Sequence, residues 1–251
     1  MKTVCALGPV AVIVLVGCGS APSRCPTAPA VAERTAAPPN VALHLDGNEA
    51  QKGRGERIRA QVADVVRSAE FECLVTHFDQ DHAIGQIGSE RTIDECSRPD
   101  PFPARSGLIG YRESRCDNAA MTNEEVYRLF RASPTDCAGN GTGTMTLNVK
   151  LGSTTTPGFT DPSPTGITKT SEFWFDQAKN YEVAAHWIHE HTHRLGFCDR
   201  GDEQYSPILV PYVYGFAGCL VAARLEAPDP KPPLSAFRAA CQSQLGPAFK
   251  N

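Results

Sequence analysis

The eleven residues His189 to Asp199, H-E-H-T-H-R-L-G-F-C-D, constrain this chain more than any other stretch. They read H-E-x-x-H-x-x-G-x-x-D. On a helix, residues four apart share a face, so His189 and His193 can present two imidazoles to one metal ion. Glu190 lies one residue along, close enough to hold a water beside that ion. Gly196 can end the helix in a left-handed conformation that a Cβ resists. The chain can then fold back and offer Asp199 as a third ligand, with Asp202 or Glu203 as alternatives. Three protein ligands plus one open position is the composition of a catalytic zinc site. The plain alternative is an ordinary charged helix with clustered histidines.

Apolar Val183, Ala184, Trp187, Ile188 and Leu195 accompany the motif at roughly helical spacing, which predicts a half-buried helix over about 182–195. His186 lies on the ligand face, three residues before His189 and seven before His193. It can support the site by bonding a carboxylate such as Glu182, but a partly exposed helical histidine is the favoured reading. His191 falls off that face and is expected at the solvent.

The extended pattern resembles the metzincin clan of zinc metallopeptidases, and Asp at the third ligand position resembles the snapalysin-type variant. The resemblance covers Val183 to Asp199 tightly and is looser to Gly215. It implies an α+β zincin-like domain with a mixed sheet and a long metal-binding helix, whose sheet edge takes extended peptide by β-addition. It further implies Zn2+ on His189, His193 and Asp199, with Glu190 as general base for hydrolysis of peptide bonds by water. There is one departure. Metzincins carry a methionine turn after the third ligand, whereas Met1, Met121 and Met145 all precede the motif here. In its place stands Val210-Pro211-Tyr212-Val213-Tyr214-Gly215, similar to a V-P-Y-x-x-G segment in some bacterial relatives. Tyr212 is the candidate donor to the tetrahedral intermediate, with a packing role as its alternative.

Met1-Lys2 and the apolar run Ala6 to Val16 suit a signal-peptide core and are too short for a membrane span. The run ends Leu15-Val16-Gly17-Cys18, which resembles the bacterial lipobox. Residues 1–17 are therefore expected to be a signal, Cys18 a lipidated anchor, and 18–40 an Ala/Pro-rich tether. A plain signal peptide cut nearby is the alternative. Either way the chain is exported, and the lipidated form is expected in the bacterial cell envelope, on the outer membrane, facing periplasm or surface. Of ten cysteines, Cys5 leaves with the signal and Cys18 carries lipid. The remaining eight suit disulfides, because no paired C-x2-4-C spacing for a structural zinc exists. Cys198–Cys219 is the expected pair.

Residues 41–251 are expected to form one domain. A net charge of −4 without a basic patch argues against nucleic acid as a partner and leaves a peptide or protein substrate. Arg57–Phe71 has a helical period, and Thr122-Asn123-Glu124-Glu125 opens a second helix capped by Thr or Asn. Thr144–Leu151 alternates as a strand, Ile167–Phe175 is a second strand candidate, and 152–166 reads as a loop. A short last helix spans about 234–243.

A rival motif, His77-Phe78-Asp79-Gln80-Asp81-His82, resembles the metal-binding loop of metallo-β-lactamase-fold hydrolases. That resemblance implies ligands from His77, Asp79, Asp81 and His82. The fold needs further histidines downstream, and none occurs between His82 and His186. An acidic helix-to-loop connection is favoured. The other alternative is a non-catalytic lipoprotein that captures metal on the His-rich helix. Glu190 separates it from an enzyme, since binding alone does not need that carboxylate.

Overall fold

The computed structural model describes residues 39–77, 93–94, 96, 109–111, 120–134, 141–153, 158–160, 166–197 and 210–242. The signal, Cys18 and most of the tether lie outside these residues, as do Asp79, Asp81, His82, Cys198 and Asp199.

The sheet is built on β4 (Thr144–Gly152), where Met145, Leu147 and Val149 are buried and the residues between them are not. That alternation is the strand pattern expected from the sequence. β1 (Asn40–Asp46) lies parallel to it, placing Val41 beside Met145 and Leu43 beside Leu147. On the other side runs β6 (Thr168–Ser171), also parallel, and then β5 (Gly158–Thr160), antiparallel, at the edge. The order is β1-β4-β6-β5. β2 (Ile109–Tyr111) and β3 (Ala120–Thr122) form a separate antiparallel pair. The architecture is mixed α/β, consistent with the α+β expectation.

Two expectations need correction here. The stretch 152–166, read as a loop, contains β5. Three residues are too few to show a period, and the strand is held by pairing with β6, where the Thr160 and Thr168 hydroxyls meet at 2.7 Å. The strand expected over Ile167–Phe175 ends at Ser171, whose Oγ accepts from the Trp174 amide and starts α4 (Glu172–Gln177). Aromatic residues suggested strand, but the serine cap won.

α1 (Glu49–Arg67) begins earlier than its apolar period indicates. Asn48 and Gln51 form a reciprocal capping box that overcomes the two glycines of the first turns. Ser68 then ends α1 and opens α2 (Ala69–Thr76). Its amide and hydroxyl both donate to the Val65 carbonyl, and its Oγ accepts from Phe71. α3 (Asn123–Ala132) starts with Thr122 as cap, boxed by Glu125.

α5 (Asn180–Arg194) carries the H-E-x-x-H motif, and α6 (Val210–Glu226) packs on it more extensively than any other pair of elements. α1 lies beside both. α6 is a helix that the sequence reading misses: it is apolar on every side, so it has no amphipathic period. Gly215 and Gly218 bring it close to α5, because a Cβ at either would meet His189 Cβ at 3.1 Å or Ile188 Cδ1 at 2.8 Å. Val210–Gly215 is thus the first part of this helix.

A short turn at Leu234–Phe237 and α7 (Arg238–Cys241) follow, close to the expected last helix. Disulfides join Cys73 to Cys96 and Cys219 to Cys241. The expected Cys198–Cys219 pair is therefore wrong. Folding of 210–226 into a helix carries Cys219 about 13 Å along the axis from Val210, where it meets Cys241. Among the described residues, no helix is long and apolar enough to cross a membrane.

Candidate metal centre

α5 is buried along its whole length from Val183 to Arg194, more than the half-buried helix expected. The sheet and α1 cover it on one side and α6 on another. Its C-terminus is anchored to the central strand, where the Arg194 guanidinium donates to the Thr146 carbonyl.

His189, Glu190 and His193 bring ligand atoms within 4.8 Å of one another, a group that can hold a metal ion. The His189 ring stands edge-on to that of His193, with centroids 5.0 Å apart. His193 Nδ1 lies 2.6 Å from the Phe197 carbonyl oxygen. A carbonyl only accepts, so Nδ1 carries the proton, and in the neutral ring Nε2 then has the lone pair. Metal-binding histidines are usually fixed in this way by a partner behind the ring.

The turn that supplies this carbonyl is the one expected at Gly196. Its φ is +96°, the Gly196 amide donates to His193 O, and the Phe197 amide donates to Thr192 O. These two bonds make a Schellman motif, which points Phe197 back at the helix end. Asp199, Asp202 and Glu203 lie beyond it, outside the described residues.

Glu190 is 2 % exposed, and its two carboxylate oxygens have different surroundings. Oε1 is 3.5 Å from His186 Nδ1. Oε2 lies 4.0 Å from His193 Nε2 and has no hydrogen-bond partner among the described residues. A buried carboxylate oxygen left bare is costly. It lies beside the second ring nitrogen of His193, so a cation with its water can engage both at once. The residues present therefore fit a metal.

Tyr212 is partly buried, its ring 5.0 Å from that of His189 and steeply tilted to it. Tyr214 is elsewhere, packed among Phe71 and Phe130, and burial holds its phenol well above the ordinary range. Of the two tyrosines it is Tyr212 that stands beside His189.

Both flanking histidines differ from expectation. His191 is buried, not at the solvent. Its ring packs edge-on to Phe130 with centroids 5.3 Å apart, and Nε2 is 3.3 Å from Ser133 Oγ. Desolvation pushes its pKa down to about 3, with the Arg194 charge adding to the effect. His186 is also buried, and its carboxylate neighbour is Glu190. Glu182 instead accepts from the Lys179 amide at the helix start. The i, i+4 spacing of His186 and Glu190 was the sequence signal for this contact.

Of the rival motif, only His77 is described. Its Nδ1 lies 2.9 Å from the Cys73 carbonyl at the end of α2. It also lies within ligand distance of Cys73 and Cys96, but those sulfurs are bonded to each other.

No protein-family model matches the chain, and no curated protein and no solved structure matches it.

Proposed function

We propose that the protein is a zinc-dependent metallopeptidase of metzincin-like design, anchored to the bacterial envelope through lipid on Cys18. The observation that carries the reading is Oε2 of buried Glu190, which has no hydrogen-bond partner among the described residues and lies 4.0 Å from His193 Nε2. A site built only to bind metal has no need of a second carboxylate oxygen held unpartnered in the interior.

In this reading His189, His193 and Asp199 hold the ion. Zinc, when bound, supplies a Lewis acid that polarises the scissile carbonyl and acidifies water. Glu190 takes the proton of the attacking water on Oε2 and delivers it to the leaving nitrogen, restoring its own charge. Tyr212 donates a hydrogen bond to the oxygen that becomes negative. β5 is the outer strand of the sheet and contacts the motif helix, so an extended peptide added to it would run past the site. Two disulfides among the described residues support an oxidising, exported location.

The test is metal content and hydrolysis of a generic protein substrate by the parent and Glu190→Ala. One zinc per chain in both, with activity in the parent alone, supports the enzyme. Equal zinc with no activity in either favours metal capture on the His-rich helix. Activity that survives Glu190→Ala overturns the mechanism.

A further inference from the structure

We propose that His186 is a positioning residue that aims the Glu190 carboxylate, an inference that rests on the base role given to Glu190 above. The two side chains are one helical turn apart, and both are buried, His186 at 7 % and Glu190 at 2 % exposure. Their separation of 3.5 Å between Nδ1 and Oε1 is long for a hydrogen bond. In a site this dry, however, the attraction is little screened by solvent. Nδ1 draws Oε1 backward along the helix. The carboxylate plane is then set, and Oε2 is the oxygen presented beside His193.

His186 is suited to this because its own ring is clamped. Trp174 of α4 meets it edge-on, with centroids 5.2 Å apart. The β5 backbone closes over its far edge at Gly158. A Cβ on Gly158 would lie 2.4 Å from His186 Nε2 and 2.6 Å from the Lys169 carbonyl oxygen. Only glycine leaves room for the ring there. A ring fixed by α4, β5 and its own helix is a rigid reference for a flexible glutamate.

His186 is not a further metal ligand. It lies seven residues from His193, about 10 Å along the helix axis. The cluster within ligand distance is His189, Glu190 and His193 without it.

The experiment compares the parent enzyme with His186→Leu, His186→Asn and Gly158→Ala. Asparagine keeps an N–H donor near the place of Nδ1, while leucine keeps only bulk. The readouts are zinc content, KM, kcat, and a double-mutant cycle of His186→Leu with Glu190→Gln on unfolding of the metal-free protein. In the expected result zinc stays at one per chain and KM changes less than about twofold. In His186→Leu, kcat falls about 10- to 100-fold. His186→Asn recovers most of the loss, Gly158→Ala loses kcat by displacing the ring, and the cycle is non-additive. Parental kcat in His186→Leu, or an asparagine variant no better than leucine, overturns the proposal. If the parent hydrolyses no peptide, the enzymatic reading fails by itself and the cycle decides: additivity discards the contact, and non-additivity retains His186 as the residue that orients Glu190.

Discussion

The carbonyl oxygen of Phe197 sits 2.6 Å from Nδ1 of His193, four residues back along the chain. This contact exists because Gly196 takes a φ of +96°. Gly196→Ala forces a Cβ into that conformation at about 1–2 kcal/mol, and relief of the strain moves the carbonyl off the ring. The expected outcome is a less stable metal-free protein and zinc affinity about 10- to 100-fold weaker. Chelator competition measures the affinity, and denaturant unfolding measures the stability. Unchanged zinc affinity would show that the Phe197 carbonyl does not orient His193.

His191 makes stability depend on pH. Its pKa is about 3 in the fold, against an ordinary value of 6.5, because burial opposes the charge. Protons then bind the unfolded chain more readily than the folded one. The stabilisation from a neutral His191 is full above about pH 6.5 and is lost as pH falls toward 3. In metal-free protein the unfolding midpoint should drop between pH 7 and pH 4. His191→Leu should flatten part of that drop, since the other histidines are common to both proteins. Identical pH profiles would place the acid lability elsewhere.

The His189, Glu190 and His193 cluster is readable in the sequence because its geometry is local. A four-residue spacing on one helix puts His189 beside His193, and a glycine three residues later marks the turn. The strand Thr144–Leu151 and the Thr122 cap were readable for the same reason. What could not be read depends on neighbours distant in the chain. α6 has no polar face, so nothing in its period separates it from a strand or loop. His191 looks like a surface residue until Phe130 and Ser133 are brought over it. His186 faces Glu190 by spacing, but its burial comes from β5 and α4, elements too short to show a pattern of their own. The Cys219 partner follows only once α6 is known to be a helix.

The Cys219–Cys241 disulfide closes 22 residues of sequence across α6 and α7. By the loop-closure estimate it contributes about 3 kcal/mol. Cys241→Ser should lower stability by an amount of that order while leaving zinc content at the parental level, because neither cysteine belongs to the ligand group His189, Glu190 and His193. Peptide mapping under non-reducing conditions should recover Cys219 linked to Cys241. Recovery of Cys219 with Cys198 would reinstate the pairing expected from sequence.

The two tyrosines of the Val210–Gly215 segment should respond in opposite ways to the same substitution. Tyr212 stands over His189, and as donor to the developing oxyanion its loss is felt only in the transition state. Tyr212→Phe is therefore expected to lower kcat about 100-fold with little change in KM or stability. Tyr214 buries a hydroxyl that has no hydrogen-bond partner among the described residues. Tyr214→Phe removes that unpaired group and keeps the ring against Phe71 and Phe130, so it should raise stability by about 1 kcal/mol and leave kcat as it is. Steady-state kinetics and denaturant unfolding on both variants check the pair. A kcat loss in Tyr214→Phe, or none in Tyr212→Phe, would remove Tyr212 from the mechanism and leave it a wall of the site.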